Sequence, residues 1–138
     1  MKKGIAILLM SVLMLFVLYY NRSFYSNGSG QYFTLWKPFG EQSYLIKGKY
    51  FSPLKPRLNY AILYSSKHVY FCESCVDTIT LNLGSDIIDK KGLHDFNFLN
   101  HSEFFKKYRD ESFANGKLVK GKDFIRKKEK YKIKRIEL

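Results

Sequence analysis

Hydrophobic and polar positions divide the chain into two unlike parts. Residues 5–20, IAILLMSVLMLFVLYY, form an unbroken uncharged run, whereas from Gln31 onward apolar residues alternate with polar ones or recur at helical spacing. As a helix the run rises roughly 24 Å, short of a hydrocarbon core of about 30 Å, which Gly4 and the paired Tyr19 and Tyr20 extend into the interface. The basic lead Lys2-Lys3 and the absence of a small-x-small pair before Ser26 and Gly28 predict a retained signal anchor over residues 1–20. A cleaved signal peptide, with secretion of the remainder, is the alternative. Lys2 and Lys3 precede the run and only Arg22 follows it closely, so the amino terminus is expected in the cytoplasm and the carboxyl-terminal domain in the periplasm or another extracytoplasmic space.

Residues 21–30, NRSFYSNGSG, read as a flexible tether. Residues 31–138 then suffice for one domain with one core. Within it, Tyr32 to Trp36 and Ser43 to Tyr50 predict a hairpin about the turn Lys37-Pro38-Phe39-Gly40, and Pro53 and Pro56 end the second strand. Asn59 to Tyr64, Lys67 to Cys72 and Asp77 to Leu83 predict a meander, with a turn at Ser65-Ser66. Gly84 and residues 86–92 read as a loop.

Asn100 and Glu103 are spaced as a capping box, and Phe104, Phe105 and Tyr108 share one helical face, which predicts one short helix on the sheet. After the turn Ala114-Asn115-Gly116-Lys117, strands over 117–125 and 131–138 predict a closing hairpin. Tyr131 and Ile133 fall on one face of its last strand and Ile136 and Leu138 on the other, so a bulge or frayed end is expected. The fold class expected is therefore α+β, a mainly antiparallel β domain with one short helix, preceded by a single transmembrane helix.

Composition adds two points. Twelve Phe, eleven Tyr and one Trp suit the half-buried faces of sheets. The net charge of +12 is uneven, since residues 117–138 carry ten basic against three acidic side chains, a surplus of +7. Lys117, Lys120, Lys122, Arg126, Lys127, Lys128, Lys130, Lys132, Lys134 and Arg135 thus form the candidate binding segment, for an acidic protein partner or anionic lipid headgroups. Nucleic acid becomes the partner only if the domain is cytoplasmic, where Phe124 and Tyr131 would stack on bases.

The only cysteines lie in Cys72-Glu73-Ser74-Cys75. A thioredoxin-like site would place a helix after the first cysteine, but Val76 to Leu81 alternate as a strand. His68, His94 and His101 match no zinc spacing. A structural disulfide across a hairpin turn, with Cα atoms about 5.5 Å apart, fits best. His94-Asp95 is the one other cluster of note, and Asp86, Asp89 and Asp95 read as dispersed surface carboxylates. Serine elbows, phosphate loops and metalloprotease motifs do not occur, so no cofactor or metal is expected. Asn-x-Ser triplets at Asn21, Asn27 and Asn100 read as chance, Asn100 being a helix cap.

These features predict a non-enzymatic, membrane-anchored binding protein of the immunity or inhibitor type acting in the envelope. The alternatives are a small accessory subunit of a multiprotein membrane complex and a thiol- or histidine-dependent enzyme.

Overall fold

The computed structural model describes every residue except 1, 39–41, 65–67 and 83–86, together with the side chains of 2 and 18–20. The predicted turns at 39–40 and 65–66, the residues Gly84 and Asp86, and the interfacial role of Tyr19 and Tyr20 lie outside the described residues. The elements in chain order are α1 (Lys2–Tyr20), β1 (Arg22–Ser26), β2 (Tyr32–Trp36), β3 (Gln42–Lys47), β4 (Tyr60–Tyr64), β5 (His68–Cys72), β6 (Ile79–Asn82), β7 (Ile87–Lys91), β8 (Phe96–Leu99), α2 (His101–Arg109), β9 (Glu111–Ala114), β10 (Lys117–Lys120), α3 (Phe124–Lys130) and β11 (Ile133–Glu137).

The apolar run forms α1, but the expected transmembrane segment is overturned: among the described residues no helix is long and apolar enough to cross a membrane. Length is the physical reason. The uncharged run of residues 5–20 rises only roughly 24 Å as a helix, against a hydrocarbon core of roughly 30 Å. The single-pass topology, its orientation and the extracytoplasmic placement that rested on it are withdrawn with it. None of the described α1 side chains belongs to a core cluster.

The rest of the fold is α+β and mostly antiparallel. One sheet has the order β1-β2-β3-β4-β7, a second has β11-β5-β6-β8, and β9 and β10 form a separate hairpin. Among the described residues only the β6–β8 pair is parallel. Alternation along the strands explains the layering. Phe33, Leu35, Leu45, Ala61 and Leu63 face inward from the first sheet and meet Val69, Phe71, Ile79, Leu81, Phe96 and Ile136 from the second. Phe33 and Phe71 meet edge to face with centroids 5.2 Å apart, and each such ring contributes about 1.5–3 kcal/mol by leaving water.

Both outer faces are covered as well. On the first sheet Trp36, Tyr44 and Ile46 pack with Tyr50, Tyr60 and Ile62 beneath the crossing that joins β3 to β4. Buried Thr34 fastens that crossing, donating to the Gly48 carbonyl (2.7 Å) and accepting from the Tyr50 amide (2.9 Å). Arg22 stacks 4.5 Å from the Trp36 ring centroid and donates to the carbonyls of Tyr50 and Ser52. On the second sheet Cys72 is covered by Phe104 and Tyr108 of α2, with Tyr131 after α3 and Ile133 of β11 packed beside them.

The structure changes several sequence expectations. Residues 22–26 are no tether but edge strand β1, paired with β2 from Arg22↔Trp36 to Ser26↔Tyr32. β4 and β5 lie in different sheets, so the meander is broken between them. The stretch 87–91 is strand β7, paired with β4. Three helices stand where one short helix and an anchor were expected. The closing hairpin does not form: Phe124–Lys130 is helical, and β11 pairs antiparallel with β5 instead. No bulge is needed in β11, because Ile136 faces the inter-sheet core and Ile133 faces the helices.

Candidate functional site

The Cys72–Cys75 pair is a disulfide with Cα atoms 5.4 Å apart. It closes the turn that leaves β5, not the whole β5–β6 connection, which runs on to Ile79. Three chain segments meet there. The Gly28 amide donates to the Cys75 carbonyl (2.9 Å), the Glu73 amide donates to the Lys132 carbonyl (2.8 Å), and the Lys132 amide donates to Ser74 Oγ (2.8 Å). A Cβ on Gly28 would lie 2.9 Å from the Ser74 carbonyl oxygen, so only glycine fits this approach without a shift. While the bridge is closed, neither sulfur is a thiolate nucleophile.

The ten basic residues are carried by two groups of elements. Lys132, Lys134 and Arg135 belong to the β11 side, where Lys132 pairs with Glu73 (3.1 Å), Arg135 with Glu137 (2.9 Å), and Lys134 sits 5.2 Å from the Tyr25 ring centroid. The other seven lie on β10, α3 and the segment between them. These elements are held by Asp110, the left-handed C-cap of α2, whose carbonyl accepts from Gly121 (2.7 Å) and whose carboxylate accepts from the Asp123 amide (2.9 Å).

The cations of this second group differ in what engages them. Arg126 pairs with Asp123 (3.1 Å), Lys127 donates to the Lys106 carbonyl (3.1 Å), and Lys120 and Lys130 lie over the rings of Phe124 and Tyr131. Lys117, Lys122 and Lys128 are exposed and meet no acidic side chain among the described residues. α2 packs against α3 and adds Lys106 and Lys107 of its last turn to this basic region, which sequence reasoning missed because they fall before the basic terminal segment.

α2 forms as its sequence predicts. Asn100 Oδ1 accepts from the Glu103 amide (2.8 Å) while the Glu103 carboxylate accepts from the Asn100 amide (3.2 Å), completing the capping box and burying Phe104 and Tyr108. At its first turn lies a cavity of about 230 Å³, walled by Tyr70, Phe105, Phe113 and Leu118 and edged by His101, Ser102, Glu111 and Ser112. His101 packs at a tilt against Phe105 (4.6 Å between ring centroids), which meets Tyr70 edge to face (5.0 Å). The buried Asn82 amide donates to His101 Nδ1 (3.0 Å), leaving the ring hydrogen on Nε2. The sequence gives no hint of this cavity, because β5, α2 and the β9–β10 hairpin meet only in the tertiary structure.

The other singled-out groups are dispersed. Asp95 pairs with Lys47, whose hydrogen bond and positive charge hold its carboxyl below the usual 3.8. His94 is exposed, and His68 opens the inner strand β5, beside Tyr70 and Arg135. Asp89 lies 3.5 Å from the Tyr60 hydroxyl. No group of three metal-binding side chains occurs among the described residues. Asn27 is buried in its own turn, where Oδ1 accepts from Ser29 and Gln31. Compared with known proteins, the chain matches no family model, no curated protein and no solved structure.

Proposed function

We propose that this is a non-enzymatic binding protein of the inhibitor or immunity type, which holds an acidic protein through the face built by α2, β10 and α3. The observation that carries the reading is the exposure of Lys117, Lys122 and Lys128, without acidic partners among the described residues, on elements fixed by Asp110. Cations already engaged by local carboxylates or rings lose less on leaving water for a partner only if they keep those contacts. Free ones supply steering and new ion pairs at the interface.

The test is titration with a polyglutamate peptide at low and physiological salt. Saturable binding that weakens several-fold with salt, and falls at least tenfold in the triple variant Lys117→Glu, Lys122→Glu, Lys128→Glu, supports the reading. Binding to anionic vesicles or RNA in preference to the peptide would overturn it.

A second reading, an accessory subunit of a larger assembly, draws on a different observation. The α1 side chains from Ile5 to Val17 are apolar on all sides and 42–69 % exposed where they are large, a surface area that isolated proteins seldom leave uncovered. Sedimentation of the full chain separates the two. A monomer favours the first, and self-association abolished by Leu9→Glu with Leu13→Glu favours the second.

A further inference from the structure

We propose that the cavity between α2 and the β9–β10 hairpin receives the phenol ring of a tyrosine on the acidic partner. The inference rests on the binding reading above and specifies how that face recognises its target.

Size comes first. At about 230 Å³ the cavity exceeds the roughly 150 Å³ that accommodates benzene in an apolar protein interior, and it leaves room for one substituted ring. Shape and chemistry agree with that. Tyr70 and Phe105 present an edge-to-face wall, and Phe113 and Leu118, 67 % and 49 % exposed, stand opposite on the hairpin. A third ring between them would be buried by aromatic contacts of the kind that anchor interfaces.

The polar rim selects a hydroxyl over a plain ring. His101 accepts from Asn82 at Nδ1 and so offers an Nε2–H donor, and Glu111, which has no cationic partner among the described residues, offers an acceptor. A phenol hydroxyl satisfies both at once, accepting from the imidazole and donating to the carboxylate. Phenylalanine would leave both without a partner, and a carboxylate ligand would be repelled by Glu111. The cavity is also continuous with the basic face, since Lys117 and Lys120 flank Leu118 on β10. An acidic segment carrying a tyrosine would therefore place its charges on the lysines as its ring enters the cavity.

The experiment uses the full chain and five-residue peptides of sequence Glu-Glu-X-Glu-Glu, with X as Tyr, Phe or Ala, alongside free p-cresol and toluene. Binding is read by calorimetry and by the amide shifts of Phe105, Phe113 and Leu118. The Tyr peptide is expected to bind at least tenfold tighter than the Ala peptide and several-fold tighter than the Phe peptide. Glu111→Gln and, separately, His101→Ala should erase the preference for Tyr over Phe, and a preference that survives both would overturn the role given to the polar rim. p-Cresol should shift the same amides where toluene does so less. If all three peptides bind alike, the cavity proposal fails while the basic face stands. If p-cresol binds but no peptide gains from its acidic residues, the basic-face reading fails and with it the tyrosine of an acidic partner.

Discussion

At the residue scale, single polar groups decide how the layers are joined. Thr34, Asn27 and Asp110 each bind backbone groups that would otherwise be buried without partners. The Lys47–Asp95 pair is different, because both side chains are about half exposed and water screens their attraction. It still lowers the Asp95 pKa, first through the hydrogen bond and then through the lysine charge. A carboxylate whose folded pKa lies below its unfolded value stabilises the fold above that unfolded value, and the contribution is lost as pH falls through the folded pKa. Lys47→Met is thus expected to return the Asp95 titration midpoint upward to about 3.8 and to remove this pH dependence below it. A carboxyl-carbon NMR titration checks this, and an unchanged midpoint would show that the lysine is not the cause.

At the element scale, α2 is the case where local sequence and tertiary position agree. Its capping box, its apolar face and its basic last turn all specify a helix at the same place. Asn100→Ala removes the acceptor for the Glu103 amide and should cost about 1 kcal/mol, seen as a lowered melting temperature with faster amide exchange confined to the first turn. Exchange unchanged from His101 to Phe104 would mean that packing alone holds that end. The hairpin turn was equally legible, for Asn115 and Gly116 both adopt positive φ, 51° and 73°, as the Asn-Gly pair predicts. The segments that sequence reading missed lack such local signals. β1 is Arg-Ser-Phe-Tyr-Ser, polar enough to resemble a linker, and becomes a strand because Tyr25 packs on Phe33 and Arg22 stacks on Trp36. β7 has apolar residues only at Ile87 and Ile88, and pairing with β4 at the sheet edge defines it. α3 has seven residues, no side-chain cap and no buried side chain, so its alternation resembled a strand until its contacts with α2 and the Asp110 anchor were visible. The basic residues were legible as a group from composition, but their distribution over β10, α3 and β11 was not.

At the scale of the whole molecule, the short Cys72–Cys75 loop has an effect larger than its length suggests. In the chain-entropy model a loop this small stabilises by only about 2 kcal/mol. Its turn, however, binds the β1–β2 connection through Gly28 and the entry to β11 through Lys132, which belong to different sheets. The bridge therefore ties the two sheets together at one end, while Phe33, Phe71 and their neighbours hold the middle. Reduction should leave the hydrophobic core and the α2 cavity formed, lower the unfolding free energy by about 2 kcal/mol, and selectively speed amide exchange at Gly28, Glu73 and Lys132. Chemical denaturation and hydrogen exchange with and without reductant measure both effects on the native sequence, which avoids cutting a hole at Cys72, fully buried against Phe104 and Tyr108. If exchange instead rises uniformly across both sheets, the bridge acts on the unfolded chain alone and the junction has no separate role. If it rises at these three amides first, the sheets are coupled through the turn, and the basic face, which ends at Lys130 just before Lys132, gains its fixed position relative to the sandwich from the oxidised pair.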